Sequence, residues 1–189
     1  MKAVEIYNPT TAAVNLQTFR LGVFFDGVRI ANLPFDDGSA GGTVLASGAS
    51  FVMCSADESR NCNQINAVLG FAYSGTEAII LTQSVSDVLV TIDTFGDAAV
   101  GPTVGGFTTC GVVGATVGHT LLRLSTVVYG EPDWSLQNGT NAGDCQWGIS
   151  TADPLATIGS HVSILPTPGP TVTPTQAPTM TPTTSTPTM

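Results

Sequence analysis

The chain has 189 residues, of which 42% are hydrophobic and 10% charged, and its formal net charge is -9. That length, less a divergent C-terminal stretch, is the size of one domain with a real core. So acidic a chain cannot build the large basic surface of a non-specific nucleic-acid binder, and we expect no nucleic-acid partner. No stretch is long and apolar enough to predict a membrane span. The charge favours a secreted protein kept apart by like-charge repulsion over an acidic patch that recruits cations.

Short apolar runs separated by clusters of Gly, Asn, Asp, Pro and Ser recur along the chain, and no window has the 3.6-residue period of a long helix. This pattern predicts an all-β sandwich or barrel. Residues 4–7 alternate as a first strand, and residues 14–16 resume the alternation after a Pro-containing break, so we expect these two strands to pair. Asp26-Gly27 between two apolar runs predicts a tight hairpin.

The middle of the chain continues the β pattern. Residues 69–73 alternate large apolar with small side chains, as a strand does. Residues 78–81 predict a buried strand, residues 88–92 the next strand, and residues 121–124 a late one. We therefore expect one β-sandwich domain over residues 1–164.

Cysteine usage points to disulfides. Cys54, Cys62, Cys110 and Cys145 are even in number, and none lies in the Cys-x-x-Cys pair that zinc sites commonly use. Two disulfides imply an oxidising compartment. The short polar segment after Cys54 favours a local pair with Cys62, which leaves the other two together, although four cysteines allow three pairings. Because no leader sequence precedes the first strand, we expect a fragment of an extracellular or cell-surface protein.

Residues 165–189 are dominated by Pro and Thr and carry no charge. Such a composition cannot bury a core, so we expect a disordered linker. Dense Thr with Pro is typical of an O-glycosylated stalk or spacer, and an ordinary disordered tail is the alternative. Asn138, in an Asn-Gly-Thr triplet, is a weak N-glycan acceptor candidate.

Residues for catalysis are sparse. His119 and His161 are the two histidines, and no Gly-x-Ser-x-Gly elbow accompanies either of them. A position at a strand edge is the favoured interpretation of His119. Trp134 and Trp147 could stack on sugar rings, but packing in the core or under a lid is commoner for Trp in a sandwich. We expect a chain that is not an enzyme and has no cofactor.

Acidic residues are spread along the chain instead of clustered. Two places are denser, Asp36-Asp37 and Asp93 with Asp97. Loop oxygens at either place could ligate Ca²⁺. Asp beside Gly is more often a turn signal, so the turn interpretation is favoured and no metal site is assigned.

Six segments, in chain order, resemble motifs of the lamin-tail domain family: AVEIYNPTTAAVNLQTFRLGVF, TVLASGASFVMC, FAYSGTEAIIL, HTLLRLS, EPDWSL and IGSH. The resemblance covers about residues 2 to 162. Two departures stand out. The family's paired Asp is Thr76-Glu77 here, and the strand that normally precedes EIYNP is absent, so we expect the chain to start one strand late.

The resemblance implies an immunoglobulin-like β-sandwich of two antiparallel sheets without catalytic residues. It also implies structural roles for ten motif positions, with the Arg side chain paired to an acid or to strand-end carbonyls. These positions are Glu5, Tyr7, Asn8, Pro9, Gly75, Glu77, Arg123, Trp134, Gly159 and His161.

Family members in secreted microbial and algal proteins are taken as attachment or targeting domains beside nucleases, phosphatases or adhesive modules. We therefore expect a non-catalytic binding or structural module of a secreted or surface protein, with a protein or glycan partner. The alternative is the accessory domain of a larger extracellular nuclease or phosphatase. A third hypothesis is a carbohydrate- or calcium-binding sandwich.

Overall fold

The computed structural model describes residues 2–36, 42–55, 62–102, 105–151, 158–159 and 161. The predicted boundary at residue 164 and the Thr/Pro-rich stretch lie outside these residues. The described part is an all-β sandwich, as predicted. Its strands are Ala3–Tyr7 (β1), Val14–Asn15 (β2), Phe19–Phe25 (β3), Val28–Pro34 (β4), Val44–Leu45 (β5), Ser50–Cys54 (β6), Gln64–Ile65 (β7), Ala78–Val85 (β8), Val88–Phe95 (β9), Thr120–Arg123 (β10) and Trp147–Ser150 (β11). Ala67–Ala72 forms a short α-helix (α1).

The first layer is an antiparallel sheet of four strands in the order β4-β3-β8-β9. Its inner face carries Leu21, Val23 and Ile79, all of which are buried. Alternation along each strand places these side chains on one face, because successive residues of a strand point to opposite sides.

The second layer consists of three smaller groups of strands: β1-β6-β7, β2-β5 and β10-β11. Phe51 and Met53 of β6 and Leu45 of β5 belong to the same buried cluster as the inner residues of the first layer. The core therefore lies between the two layers. Among the described strands, β6 and β7 form the one parallel pair, a departure from the predicted antiparallel pairing.

The expected pairing of the first two strands is wrong. β1 pairs with β6, and β2 pairs with β5. The side chain of Asn8 explains why β1 and β2 do not pair with each other. Its Nδ2 donates to the backbone oxygen of Leu45 at 3.0 Å and to that of Ala12 at 2.9 Å. This buried amide bonds both to the turn after β1 and to β5. It therefore fixes the turn against β5, and β1 and β2 do not form a hairpin.

The expected strand over residues 69–73 is also wrong, since α1 covers most of it. Asn66 caps this helix, and its side-chain oxygen accepts a hydrogen bond from the backbone N–H of Val68 at 3.0 Å. Capping of this kind favours a helical turn over an extended chain. Leu69 is fully buried against the core. The short helix therefore buries an apolar side chain that the alternating pattern had placed on a strand.

The hairpin at Asp26-Gly27 and the later strands are confirmed. β3 and β4 join through these two residues, whose φ angles are +46° and +77°. β8 and β9 form a second hairpin over the residues predicted as consecutive strands. β10 covers most of the predicted late strand.

Both preferred disulfides are present. Cys54 is bonded to Cys62, and Cys110 to Cys145, with Cα–Cα distances of 5.9 and 5.2 Å. The first closes a local loop after β6, and the second ties the segment before β10 to the segment before β11. Two disulfides indicate an oxidising environment.

Candidate binding site

A cleft of about 800 Å³ separates β1 from β10 in the second layer. All residues of both strands line it, whereas no residue of β6 does and β11 contributes only Trp147. The outer edges of β1 and β10 therefore face the cleft. Its floor consists of inner-face residues of the first layer, among them Leu21, Ile79 and Ile92. The cleft is a gap in the second layer above an apolar sheet.

Strand register fixes which backbone groups face this gap. At one end of β1, the N–H of Ser55 donates to the backbone oxygen of Lys2. At the other end, the N–H of Asn8 donates to the backbone oxygen of Ala49. Antiparallel strands alternate their bonding side, so the even-numbered residues of β1 bond β6 and the odd-numbered ones point outward.

The same alternation applies to β10. The N–H of Leu124 bonds the oxygen of Gln146, beyond the end of the β10–β11 ladder. The backbone N–H and C=O groups of Leu121 and Arg123 therefore point away from β11, toward the cleft. Between described residues, no backbone hydrogen bond outside the two strand ladders involves Ala3 or Glu5 on β1, or Leu121 or Arg123 on β10.

Charges in the cleft balance. Its described lining contains Lys2 and Arg123 as cations and Glu5 and Asp93 as anions, beside two histidines. With neutral histidines the lining has no net charge, whereas the whole chain carries -9. The cleft is thus electrically unlike the rest of the molecule and is lined mainly by apolar side chains.

Arg123 is the centre of a hydrogen-bonded cluster at one side of the cleft. Its guanidinium forms an ion pair with Asp93 and donates to the side-chain oxygens of Gln137 at 2.5 Å and Gln146 at 3.0 Å. The guanidinium also lies 4.3 Å from the centroid of the Trp147 ring. Of the two partners expected for Arg123, an acid or strand-end carbonyls, the structure has the acid. This cluster fixes β10 and β11 to β9.

Asp93 is occupied by this cluster, which argues against its use as a calcium ligand. Besides Arg123, its Oδ1 accepts hydrogen bonds from the backbone N–H groups of Thr94 and Glu131, both at 3.0 Å. Asp97 caps a turn by accepting from the N–H of Ala99 at 2.9 Å. Both acids therefore have structural partners.

The other candidate for a calcium site is the pair Asp36-Asp37, whose second residue lies outside the described residues. Asp36 itself is described, and its backbone N–H donates to the side-chain oxygen of Gln64 at 3.0 Å. Within the described ranges, no group of three or more His, Cys, Asp and Glu side chains could hold a metal ion.

Four motif positions far apart in the sequence meet at the other side of the cleft. The carboxylate of Glu5 accepts hydrogen bonds from the backbone N–H groups of Gly159, at 2.9 Å, and His161, at 3.4 Å. The rings of Tyr7 and His161 lie 4.8 Å apart. These contacts fasten Gly159 and His161 to β1, which is a structural role of the predicted kind.

Gly75 and Glu77 shape the turn that precedes β8. Gly75 has a φ of +98°, and a Cβ there would collide with the backbone oxygen of Thr116, so only glycine fits. Burial opposes ionisation of Glu77, but hydrogen bonds from the N–H and hydroxyl of Ser74 and from the hydroxyl of Thr76 outweigh it. They hold the pKa of Glu77 below its ordinary value.

Tyr73 lies in the cleft lining beside this turn. Burial, and then the negative charge of Glu77, raise the pKa of its phenol well above the ordinary value. The hydroxyl is therefore neutral throughout the physiological pH range. It adds a polar but uncharged group to the lining.

Both tryptophans take packing positions. Trp134 is 8% exposed and packs edge-on against Phe95 and Phe107, at centroid distances of 5.6 and 6.2 Å. Trp147 is half-buried between Phe95, at 5.3 Å, and the guanidinium of Arg123. The favoured packing interpretation is confirmed for Trp134, and a neighbouring cation already covers the ring of Trp147.

The remaining candidates are Asn138 and His119. Asn138 is half-buried, and its backbone oxygen accepts a hydrogen bond from the N–H of Cys110 at 2.6 Å. His119 precedes β10, and its Nδ1 lies 2.9 Å from the backbone oxygen of Val117. It lies at the strand edge, as expected, and also lines the cleft.

Comparison of the chain with protein-family models, with curated proteins and with solved structures gives no match in any of the three. The lamin-tail resemblance therefore stays a prediction. Helices of the described part are all too short to cross a membrane.

The sequence did not reveal the cleft or the buried amide of Gln137. Gln137 is fully buried, and its Nε2 donates to the backbone oxygen of Glu131 at 2.7 Å. A glutamine in a polar loop carries no signal of burial. The cleft arises because β1 and β10 do not pair with each other, and strand partners are determined by contacts between residues far apart in the sequence.

Proposed function

We propose that this protein is a non-catalytic binding module of a secreted or cell-surface protein, and that the cleft between β1 and β10 is its binding site. The observation that carries the proposal is the cleft, a mainly apolar groove without net charge in an otherwise acidic chain. Its volume of about 800 Å³ lies within the range of about 300–1,000 Å³ usual for binding pockets.

Two further features support this proposal. The two disulfides suit a protein that works outside the cell. The charged groups of the cleft serve structure, since Arg123 pairs with Asp93 and Glu5 accepts backbone N–H groups. Such engaged side chains hold a binding surface in shape instead of attacking a substrate.

The Thr/Pro-rich composition of residues 165–189 is typical of spacers between modules. It is the feature that favours the alternative, an accessory domain attached to an extracellular nuclease or phosphatase. The lamin-tail resemblance is compatible with both proposals, since attachment is the expected role in each.

The test uses the full chain, secreted with its disulfides formed, on arrays of extracellular proteins and glycans. We expect saturable binding that Leu121→Asp weakens at least tenfold, because the change would place an additional, uncompensated carboxylate in a cleft whose charges balance. Val113→Asp is the matched control, since Val113 is 70% exposed and does not line the cleft. Equal binding by both variants would remove the cleft from the proposal. Turnover of DNA or of a phosphate monoester by the purified chain would contradict a non-catalytic role.

A further inference from the structure

The volume of the cleft is that of a short β-strand. A strand residue in a two-layer sandwich occupies about 3.3 Å along the strand, about 4.8 Å across the sheet and about 10 Å between layers, or about 160 Å³. A cleft of about 800 Å³ thus has room for about five strand residues. β1, which forms one wall of the cleft, has 5 residues.

The walls offer the hydrogen-bonding groups that a strand needs. Ala3 and Glu5 on β1, and Leu121 and Arg123 on β10, direct backbone N–H and C=O groups into the gap. A strand between two such edges would pair on both sides, which is how extended peptides add to exposed sheet edges. A rounded apolar ligand would leave these groups without partners, at a cost for each buried group.

The floor and the charge determine which side chains fit. Leu21, Ile79 and Ile92 present an apolar surface below the gap. Every second side chain of an inserted strand would point onto this surface. The charges of the lining cancel, with Arg123 paired to Asp93. A charged residue of the occupant at an inward position would therefore be buried without a counter-ion.

We propose that the cleft binds one extended, uncharged strand of another polypeptide, with apolar side chains at alternate positions, which pairs with the outer edges of β1 and β10. This inference rests on the proposed binding function and specifies its ligand. The bound strand completes the second layer of the sandwich and covers the inner face of β8 and β9.

The probe is the acetylated and amidated peptide GSTVTVTVTSG, titrated into the full chain with its disulfides intact. Trp147 lines the cleft, so its fluorescence reports binding. We expect saturable binding and an at least tenfold loss of affinity when the backbone nitrogens of the peptide's valines are methylated. Methylation removes donors and keeps every side chain, so the comparison isolates backbone pairing and does not depend on the folding of a variant.

Variants of the protein test whether the peptide binds in the cleft. Leu121→Asp should weaken binding at least tenfold, and the exposed control Val113→Asp should leave it unchanged. Thermal unfolding of both variants shows whether they are folded. Equal binding of the methylated peptide, or no binding of either peptide, would overturn the inference. Binding of laurate alone would assign the cleft to a small apolar ligand, and dimerisation abolished by Leu121→Asp would assign it to a second copy, and either result would overturn it as well.

The array experiment separates this inference from the proposed function. If the peptide fails but array binding persists and depends on Leu121, the binding function stands and the ligand class is wrong. If both fail, the proposed function fails too.

Discussion

At the scale of single residues, Arg123 connects the two layers. It joins β10 to Asp93 of β9 and to two glutamine side chains in the loops before β11. The Arg123 and Asp93 side chains are 13% and 29% exposed, so their charges are largely withdrawn from water. Removal of one partner from such a pair leaves the other charge uncompensated.

Arg123→Leu should therefore lower the free energy of unfolding by about 3 kcal/mol. Urea denaturation at neutral pH measures the change. Arg29→Leu is the matched control, because Arg29 is exposed and lies 5.2 Å from the ring centroid of Phe24. Its loss should cost about 0.5–1 kcal/mol. Equal losses of unfolding free energy in the two variants would show that the contacts of Arg123 with Asp93 and the two glutamines do not stabilise the fold more than an exposed cation–ring contact does.

Glu77 gives the second prediction at this scale. Its pKa is lower folded than unfolded, so its ionisation adds stability above the unfolded pKa, and that stability is lost as pH falls through the folded pKa. Glu77→Gln should cost about 1 kcal/mol at pH about 7 and progressively less toward pH about 3. Urea titrations of both proteins across this range measure the difference. A cost independent of pH would indicate that the amide loses shape complementarity and not charge.

The sequence predicted the residue-scale features that depend on composition or spacing. Local loop length favoured Cys54 with Cys62, whereas the expectation that Arg123 pairs with an acid or with strand-end carbonyls came from the lamin-tail resemblance. Burial of Gln137 was not predictable, because it depends on where its two partners lie. Arg123 is on β10, and Glu131 lies in the following loop, where its backbone bonds Asp93 and Thr94 of β9.

At the scale of elements, the hairpin between β8 and β9 is the one whose turn lacks glycine. Ser86 and Asp87 have φ angles of +50° and +63°. Two left-handed residues in a two-residue loop match the twist of the strands, and Gly or Asn meets this requirement with least strain. The corresponding turn between β3 and β4 has Gly27 at its second position.

Asp87→Gly should raise the free energy of unfolding by about 0.5–1 kcal/mol, because it removes the strain of a positive φ. Thermal denaturation measures the shift. Asp26→Gly is the contrast, since Oδ1 of Asp26 accepts a hydrogen bond from the N–H of Gly101 at 2.9 Å. Loss of this bond offsets the relief of strain there, so stability should not rise. Stabilisation by both changes would contradict the role given to the Asp26 bond.

Hairpins were predictable and strand partners were not. Asp26-Gly27 is a local signal, and the sheet follows it. β1 joins β6 across more than forty residues of chain, and no local pattern encodes that choice. α1 was mistaken for a strand because apolar residues at short spacing fit either structure, and the Asn66 cap decided between them.

At the scale of the whole molecule, the two disulfides constrain loops of very different length. Cys54–Cys62 spans 8 residues and Cys110–Cys145 spans 35. Closure of a longer loop removes more entropy from the unfolded chain. The second disulfide is also the one that holds the β10–β11 side of the cleft to the preceding segment.

Paired Cys→Ser variants should therefore differ. Loss of Cys110–Cys145 should cost about 4 kcal/mol, and loss of Cys54–Cys62 about 2.5 kcal/mol. Urea denaturation of each double variant measures the cost, and intact mass after alkylation confirms that the remaining disulfide is formed. A larger cost for the Cys54–Cys62 pair would show that loop entropy does not govern the order.

We infer that the cleft between β1 and β10 is the binding surface. A rival apolar surface exists at the β8–β9 turn, where Val85 and Val88 are 50% and 62% exposed. Amide chemical-shift mapping of the labelled full chain, titrated with the peptide GSTVTVTVTSG, compares the two directly. We expect the largest shifts at Ala3, Glu5 and Leu121. Shifts concentrated at Val85 and Val88, with the amides of β1 and β10 unmoved, would contradict it.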